Sequence, residues 1–131
     1  MILVLNRLVH TIKRRPVNIY CIIGSLFLYG INQVLLKNIL SGVPGMVCNC
    51  YFNDLLCPLF FIAFTELVLL WDGVEIRSFW LMQILIICCG LIWEYVIPRT
   101  NAVADPRDLI CYSVGAALYY ALMRLTTEDC N

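Results

Sequence analysis

The fold this chain predicts is all-α and membrane-integral: four transmembrane helices in a compact antiparallel bundle, behind a short amphipathic or basic N-terminal flank. Three observations carry that reading. First, 62% of the 131 residues are hydrophobic and only 14% are charged, with a mean hydropathy of +0.84. Soluble domains run at about 45–50% apolar and about 25% charged, and a soluble fold of this size has too little interior to hide the excess. Second, the apolar residues fall into four runs, each close to the roughly 20 helical residues that cross a hydrocarbon core about 30 Å thick. Third, caps and breakers stand at the ends of these runs: Pro16, Asn53, Pro98 and the pair Asp105-Pro106. One transmembrane domain therefore covers 1–131, with spans at approximately 17–36, 54–71, 79–97 and 105–124.

Taken in order, residues 2–15 alternate apolar Leu5, Leu8, Val9 and Ile12 with Arg7, His10, Lys13 and Arg14. That spacing suits a helix lying at the membrane surface, or a basic flank to the first span. The charges follow the apolar stretch and no small-residue cleavage site appears, unlike a signal peptide. Pro16 fits the first position of a helix, where its missing N–H costs nothing. Asn53 is a candidate cap for the second helix, with Asp54 against its positive end. Asp105-Pro106-Arg107-Asp108 places a cap, a first-turn proline and an acid three residues on, close to a capping box.

Basic residues in the short connections orient the bundle. Arg7, Lys13, Arg14, Arg15, Arg77 and Arg124 fall on one side; Lys37, Arg99 and Arg107 fall on the other. The basic side is expected in the cytoplasm, with both termini there. Net charge is +0, which offers nothing to nucleic acid.

Polar groups inside a span are costly and usually turn toward the bundle interior. Gln83, Gly90 and Glu94 share one stripe of the third helix, and Asp108, Tyr112, Gly115 and Tyr119 share one face of the fourth. Ser25 and Asn32 lie on the first helix, Asp54 and Thr65 on the second. Depth then gathers Asn32, Gln33, Asp54, Glu94, Arg99, Asp105, Arg107 and Asp108 at the outer ends of their spans. A polar pocket at the extracytoplasmic surface is expected, suited to a headgroup, a sugar-like group or a hard cation. Its candidate ligand-binding residues are Asp54, Glu94, Arg99, Asp105, Asp108 and Tyr112, with Glu94, Arg99 and Asp108 converging. Against this stands a plainer reading, in which the aspartates cap helices and Arg99 pairs with Glu94.

Glu66 is the other intramembrane carboxylate. A protonated Glu66 hydrogen-bonded to Gln83 explains it simply; a proton-carrying role is the sharper alternative. Cys48, Cys50 and Cys57 raise a disulfide on an oxidising face, while zinc is weakly supported because no histidine is near. Ser113, Ala117 and Ala121 form a small-residue line suited to helix packing. His10, the only histidine, lies before the first span, which argues against histidine-dependent membrane hydrolases. No nucleotide-binding loop is present, and no cofactor or resident metal is implied.

The stretch from Glu94 to Gly115 resembles the VanZ-like family of small bacterial membrane proteins. Glu94, Arg99, Asp105, Asp108 and Gly115 match a pattern of helix-borne Glu, loop Arg, two Asp three apart, and a Gly seven beyond. Tyr51 to Leu56 resembles the family's acidic start to an earlier span. Leu55 and Cys57 stand where many members carry Lys and His, and Tyr112 where Asn is common. The resemblance implies a bacterial plasma membrane protein of the cell envelope, in a family linked to glycopeptide resistance.

Three functions follow as expectations. One is an outward pocket for a lipid-linked or glycopeptide-like ligand, among membrane lipids as partners. Another is a small transporter working as a homo-oligomer. The last is an intramembrane enzyme using Asp54, Glu94 and Asp108 as metal ligands or acid–base groups.

Overall fold

A computed structural model describes residues 9–96 and 105–128 of the chain. Among these residues only helices and their connections occur, and four helices are long and apolar enough to cross a membrane: Pro16–Ile39, Gly42–Trp71, Phe79–Val96 and Pro106–Thr126. They are called spans one to four. Their outward faces carry Phe27, Phe64, Trp80, Ile84, Val114 and other large apolar side chains, all more than 40% exposed. Such a surface suits acyl chains and would be untenable in water.

Residues 9–14 are helical, and the helix breaks at Arg15 before Pro16 opens span one. Of the expected N-terminal flank, residues 2–8 lie outside the described residues. The break has a use, because it lets Arg15 fold inward to 8% exposure instead of remaining on a basic surface.

Span one runs past the expected boundary. After Ile31 the backbone widens into a π-helical turn over Asn32–Leu36, then closes as Lys37–Ile39. Gly42, at φ +67°, turns the chain back, and the short helix Gly42–Cys50 packs against the end of span one. Close approach depends on Gly45, where a Cβ would lie 2.5 Å from the Leu40 carbonyl oxygen. Buried Asn32 fastens the hairpin: its amide donates to the Cys48 carbonyl and to Asn53 Oδ1, each at 2.9 Å.

Asn53 is therefore not the cap of the second helix. Tyr51 stands at that boundary, and Asn53 lies inside Phe52–Trp71 with its side chain turned to Asn32. Asp54 does occupy the first turn, as expected. Ser78 caps span three by accepting from the Leu81 N–H at 3.4 Å. Asp105 caps span four, its Oδ1 accepting from the Arg107 N–H at 2.9 Å.

Packing is not a square ring. Span two lies against spans one and four, span four also carries span three, and spans two and three touch sparingly. Spans one and two are antiparallel neighbours, as are three and four. The central pair, two and four, runs in the same direction. Gly115 makes that pairing possible: a Cβ there would collide with the Leu55 carbonyl oxygen and lie 2.5 Å from Pro58. Above and below this contact the core is filled by Ile62, Ala63, Met82, Ala116 and Tyr119, all fully buried.

Candidate functional site

The bundle has two polar ends. At one, Tyr112 projects from span four into the gap between spans two and three. Its hydroxyl lies 3.4 Å from Asp54 Oδ1 and 3.2 Å from Glu94 Oε1. Gly90 on span three leaves room for the ring, since a Cβ there would sit 2.7 Å from Tyr112 Cδ2. Tyr112 has one proton to share between two carboxylates, each with several lone pairs. The Tyr112 hydroxyl thus links two carboxylates from spans two and three at one end of the bundle.

Beside it lies a groove of about 380 Å³. Asn53, Asp54, Ser25 and Tyr112 supply its polar lining, and Leu26, Tyr29, Leu56, Phe60 and Trp93 are among its apolar walls. Leu26, Tyr29 and Trp93 are 56%, 49% and 51% exposed, so the groove opens sideways onto the apolar surface. Ser25 is buried, and its hydroxyl has no hydrogen-bond partner. A lateral opening, apolar walls and a carboxylate head together describe a place for an amphiphile.

Asp54, Glu94 and Tyr112 therefore come together as the sequence suggests, with Tyr112 as the link. Asp105 is occupied in capping its own helix. Asp108 lies in the first turn of span four, partly exposed, and does not line the groove. Arg99 lies outside the described residues. Arg107 donates instead to the Tyr51 hydroxyl at 3.4 Å. Among the described residues no three His, Cys, Asp or Glu side chains converge to hold a metal ion. Asp54, Glu94 and Asp108 are thus not a ligand set. Cys48, Cys50 and Cys57 are free thiols, without the disulfide considered above.

The opposite end overturns one expectation. Glu66 does not bond Gln83. Gln83 and Ser113 bond each other, Ser113 Oγ donating to Gln83 Oε1 at 2.7 Å and Gln83 donating to the Ser113 carbonyl at 3.1 Å. Glu66, fully buried, accepts from the Tyr119 hydroxyl and faces Arg15 NH1 at 3.4 Å. Asn18, also fully buried, holds the Tyr119 hydroxyl from the other side at 2.5 Å. One hydroxyl proton cannot serve two acceptors, so the Asn18 amide satisfies the cluster best with its nitrogen turned toward Tyr119.

Beyond the span end, Glu75 gathers Arg14, Arg15 and Arg77, with Arg15 NH2 at 3.7 Å and the other two closer. Partial burial pushes the Glu75 carboxyl up, but the Arg77 hydrogen bond and the charges of Arg14, Arg77 and Arg15 outweigh it and leave it below its ordinary value. These pairs tie the N-terminal helical segment to the loop between spans two and three.

Arg15 and Asn18 were missed as interior residues. Arg15 reads as one more basic flank residue. Asn18 was within reach, because Asn18, Ser25 and Asn32 stand seven apart on one face of span one.

Fold and site together define a multi-pass, all-helical membrane protein with a laterally open groove headed by carboxylates. No protein family model, no curated protein and no solved structure matches the chain.

Proposed function

We propose that the protein is a VanZ-like multi-pass protein of the bacterial plasma membrane whose groove binds a cell-envelope lipid through a donor-bearing headgroup. One observation carries this reading: the Asp54–Tyr112–Glu94 cluster heads a groove that opens sideways to the bilayer. Within a bilayer an apolar groove gains no hydrophobic driving force over lipid. Selection must then come from shape and from the polar head. Two carboxylates and a hydroxyl favour amine or hydroxyl donors, as on amine-bearing, sugar-bearing or lipid-linked headgroups. The unpartnered Ser25 hydroxyl adds a further polar group at the wall.

Binding fits better than transport by a single copy. A carrier needs a path between the two polar ends, and Ile62, Ala63 and Ala116 lie between them with no exposure at all. A metal-dependent enzyme at the same place lacks a three-donor set among the described residues.

The test is lipid mass spectrometry on protein purified into nanodiscs from its native membrane lipids. A lipid class with headgroup donors should be enriched at least tenfold over the bulk, about 1.4 kcal/mol of preference. Asp54→Asn and Tyr112→Phe should each cut that enrichment severalfold while the helical content is kept. Co-purified lipid indistinguishable from bulk would sink the proposal.

A further inference from the structure

The groove at Asp54 is one of a pair. A second cavity of about 310 Å³ is lined by Phe61, Ile86, Cys89 and Gly90, and it shares Cys57, Trp93 and Tyr112 with the first. It exists because spans two and three touch sparingly, leaving a seam above the Tyr112 ring. The two cavities abut at Trp93 and Cys57, and both reach Tyr112, whose hydroxyl carries the carboxylate link. Their linings differ. The first holds Ser25, Asn53 and Asp54, whereas the residues peculiar to the second are apolar or thiol-bearing.

We infer that the pair of cavities holds the two acyl chains of a single diacyl lipid, one chain in each, with the headgroup donors at Asp54 and Tyr112. This rests on the lipid-binding reading above and specifies its ligand. Two abutting cavities that share Tyr112, one of them also lined by Asp54, match two chains joined at one head. A helix from a second copy of this chain is a poorer fit: with side chains it is about 10–12 Å across, a single ridge that fills one groove without entering the other. A single-chain amphiphile would leave one cavity to loose bilayer lipid and forgo the many small dispersion contacts of a held chain. The carboxylates select the head. An ethanolamine head has N–H donors that a carboxylate oxygen of Asp54 accepts, and a choline head, which has no donor, does not form the bond.

The experiment uses the full chain in phosphatidylcholine nanodiscs doped with equal amounts of diacyl phosphatidylethanolamine and its one-chain lyso form. Native mass spectrometry then reads the lipid that leaves with the protein. The diacyl form should be retained at least tenfold over the lyso form. Cys89→Trp, which fills only the second cavity, should bring that ratio near one. The wild-type comparison needs no variant, so a misfolded Cys89→Trp protein would not spoil the result. Equal retention of both forms by the wild type would overturn the two-chain inference and leave lipid binding standing. Retention of neither above phosphatidylcholine would overturn this inference together with its ammonium-bearing head, while the native-lipid profile above decides the lipid-binding reading itself. A dimer cross-linked through Cys57 with no lipid held would give the grooves to a second copy instead.

Discussion

At the scale of single residues, the decisive feature is where charge is buried. Glu66 looked like a carboxylic acid needing only a neutral partner, and a Glu66→Gln exchange would then cost below about 1 kcal/mol. Arg15 changes that arithmetic. With Arg15 at 8% exposure beside a fully buried Glu66, replacing the carboxylate by an amide strands a guanidinium in the apolar interior. Breaking such a pair from one side costs about 3–5 kcal/mol, because the surviving charge keeps its desolvation penalty. Glu75 at 3.7 Å offers Arg15 a second carboxylate, so the lower end of that range is expected. Unfolding in a mild-to-harsh detergent titration should show Glu66→Gln destabilised by about 3 kcal/mol. Adding Arg15→Met should recover much of the loss. A Glu66→Gln protein as stable as wild type would mean that the ion pair contributes little.

At the scale of elements, the parallel contact between spans two and four organises the molecule. It rests on one residue without a side chain. Gly115 lies where a methyl group would strike backbone, the Leu55 carbonyl, as well as the Pro58 ring. Backbone cannot rotate away, so Gly115→Ala must part the two helices and is expected to cost about 1–3 kcal/mol. Gly24 on span one has nothing within 4 Å of its would-be Cβ, and Gly24→Ala should be neutral or stabilising through helix propensity. Thermal melts of the two variants, run side by side, separate packing from propensity. Loss of stability in both, or in neither, would remove Gly115 from its assigned place.

The same scale explains what the sequence made legible. Spans were readable because hydropathy over some 20 residues integrates many weak preferences. The Asp105 cap was readable because it is local, needing only the Arg107 N–H two residues on. Tyr112 and Tyr119 were readable as members of one helical face. Their partners were not, since helical spacing says which residues share a face and nothing of the face opposite. Glu66 was thus assigned to Gln83 on depth alone, whereas Gln83 bonds Ser113 and Glu66 faces Tyr119 and Arg15. The Asn53 cap failed for a related reason: Asn32, 21 residues away, took its side chain for the hairpin. The paired cavities arise from the sparing contact of spans two and three, a property of packing that no single helix encodes.

At the scale of the whole molecule, the two polar ends differ in charge, and that difference predicts which end faces the cytoplasm. Among the described residues, Lys13, Arg14, Arg15, Arg77 and Arg124 belong to the Glu66 end, while Lys37 and Arg107 belong to the Asp54 end. Several of the first group are paired with Glu66 or Glu75. Pairing does not weaken the argument, because Lys and Arg set orientation while Asp and Glu contribute little. The Glu66 end is therefore expected inside and the groove head outside, where it would meet the outer leaflet. In a cysteine-free background, Val43→Cys reports the Asp54 end and Val74→Cys the Glu66 end. Their native side chains are 72% and 52% exposed, so both probes are accessible without disturbing packing. A membrane-impermeant maleimide added to intact cells should label position 43 and reach position 74 only after permeabilisation. The opposite pattern would turn the molecule over and place the carboxylate-headed groove in the cytoplasmic leaflet, where it could not meet an outer-leaflet lipid or a glycopeptide arriving from outside.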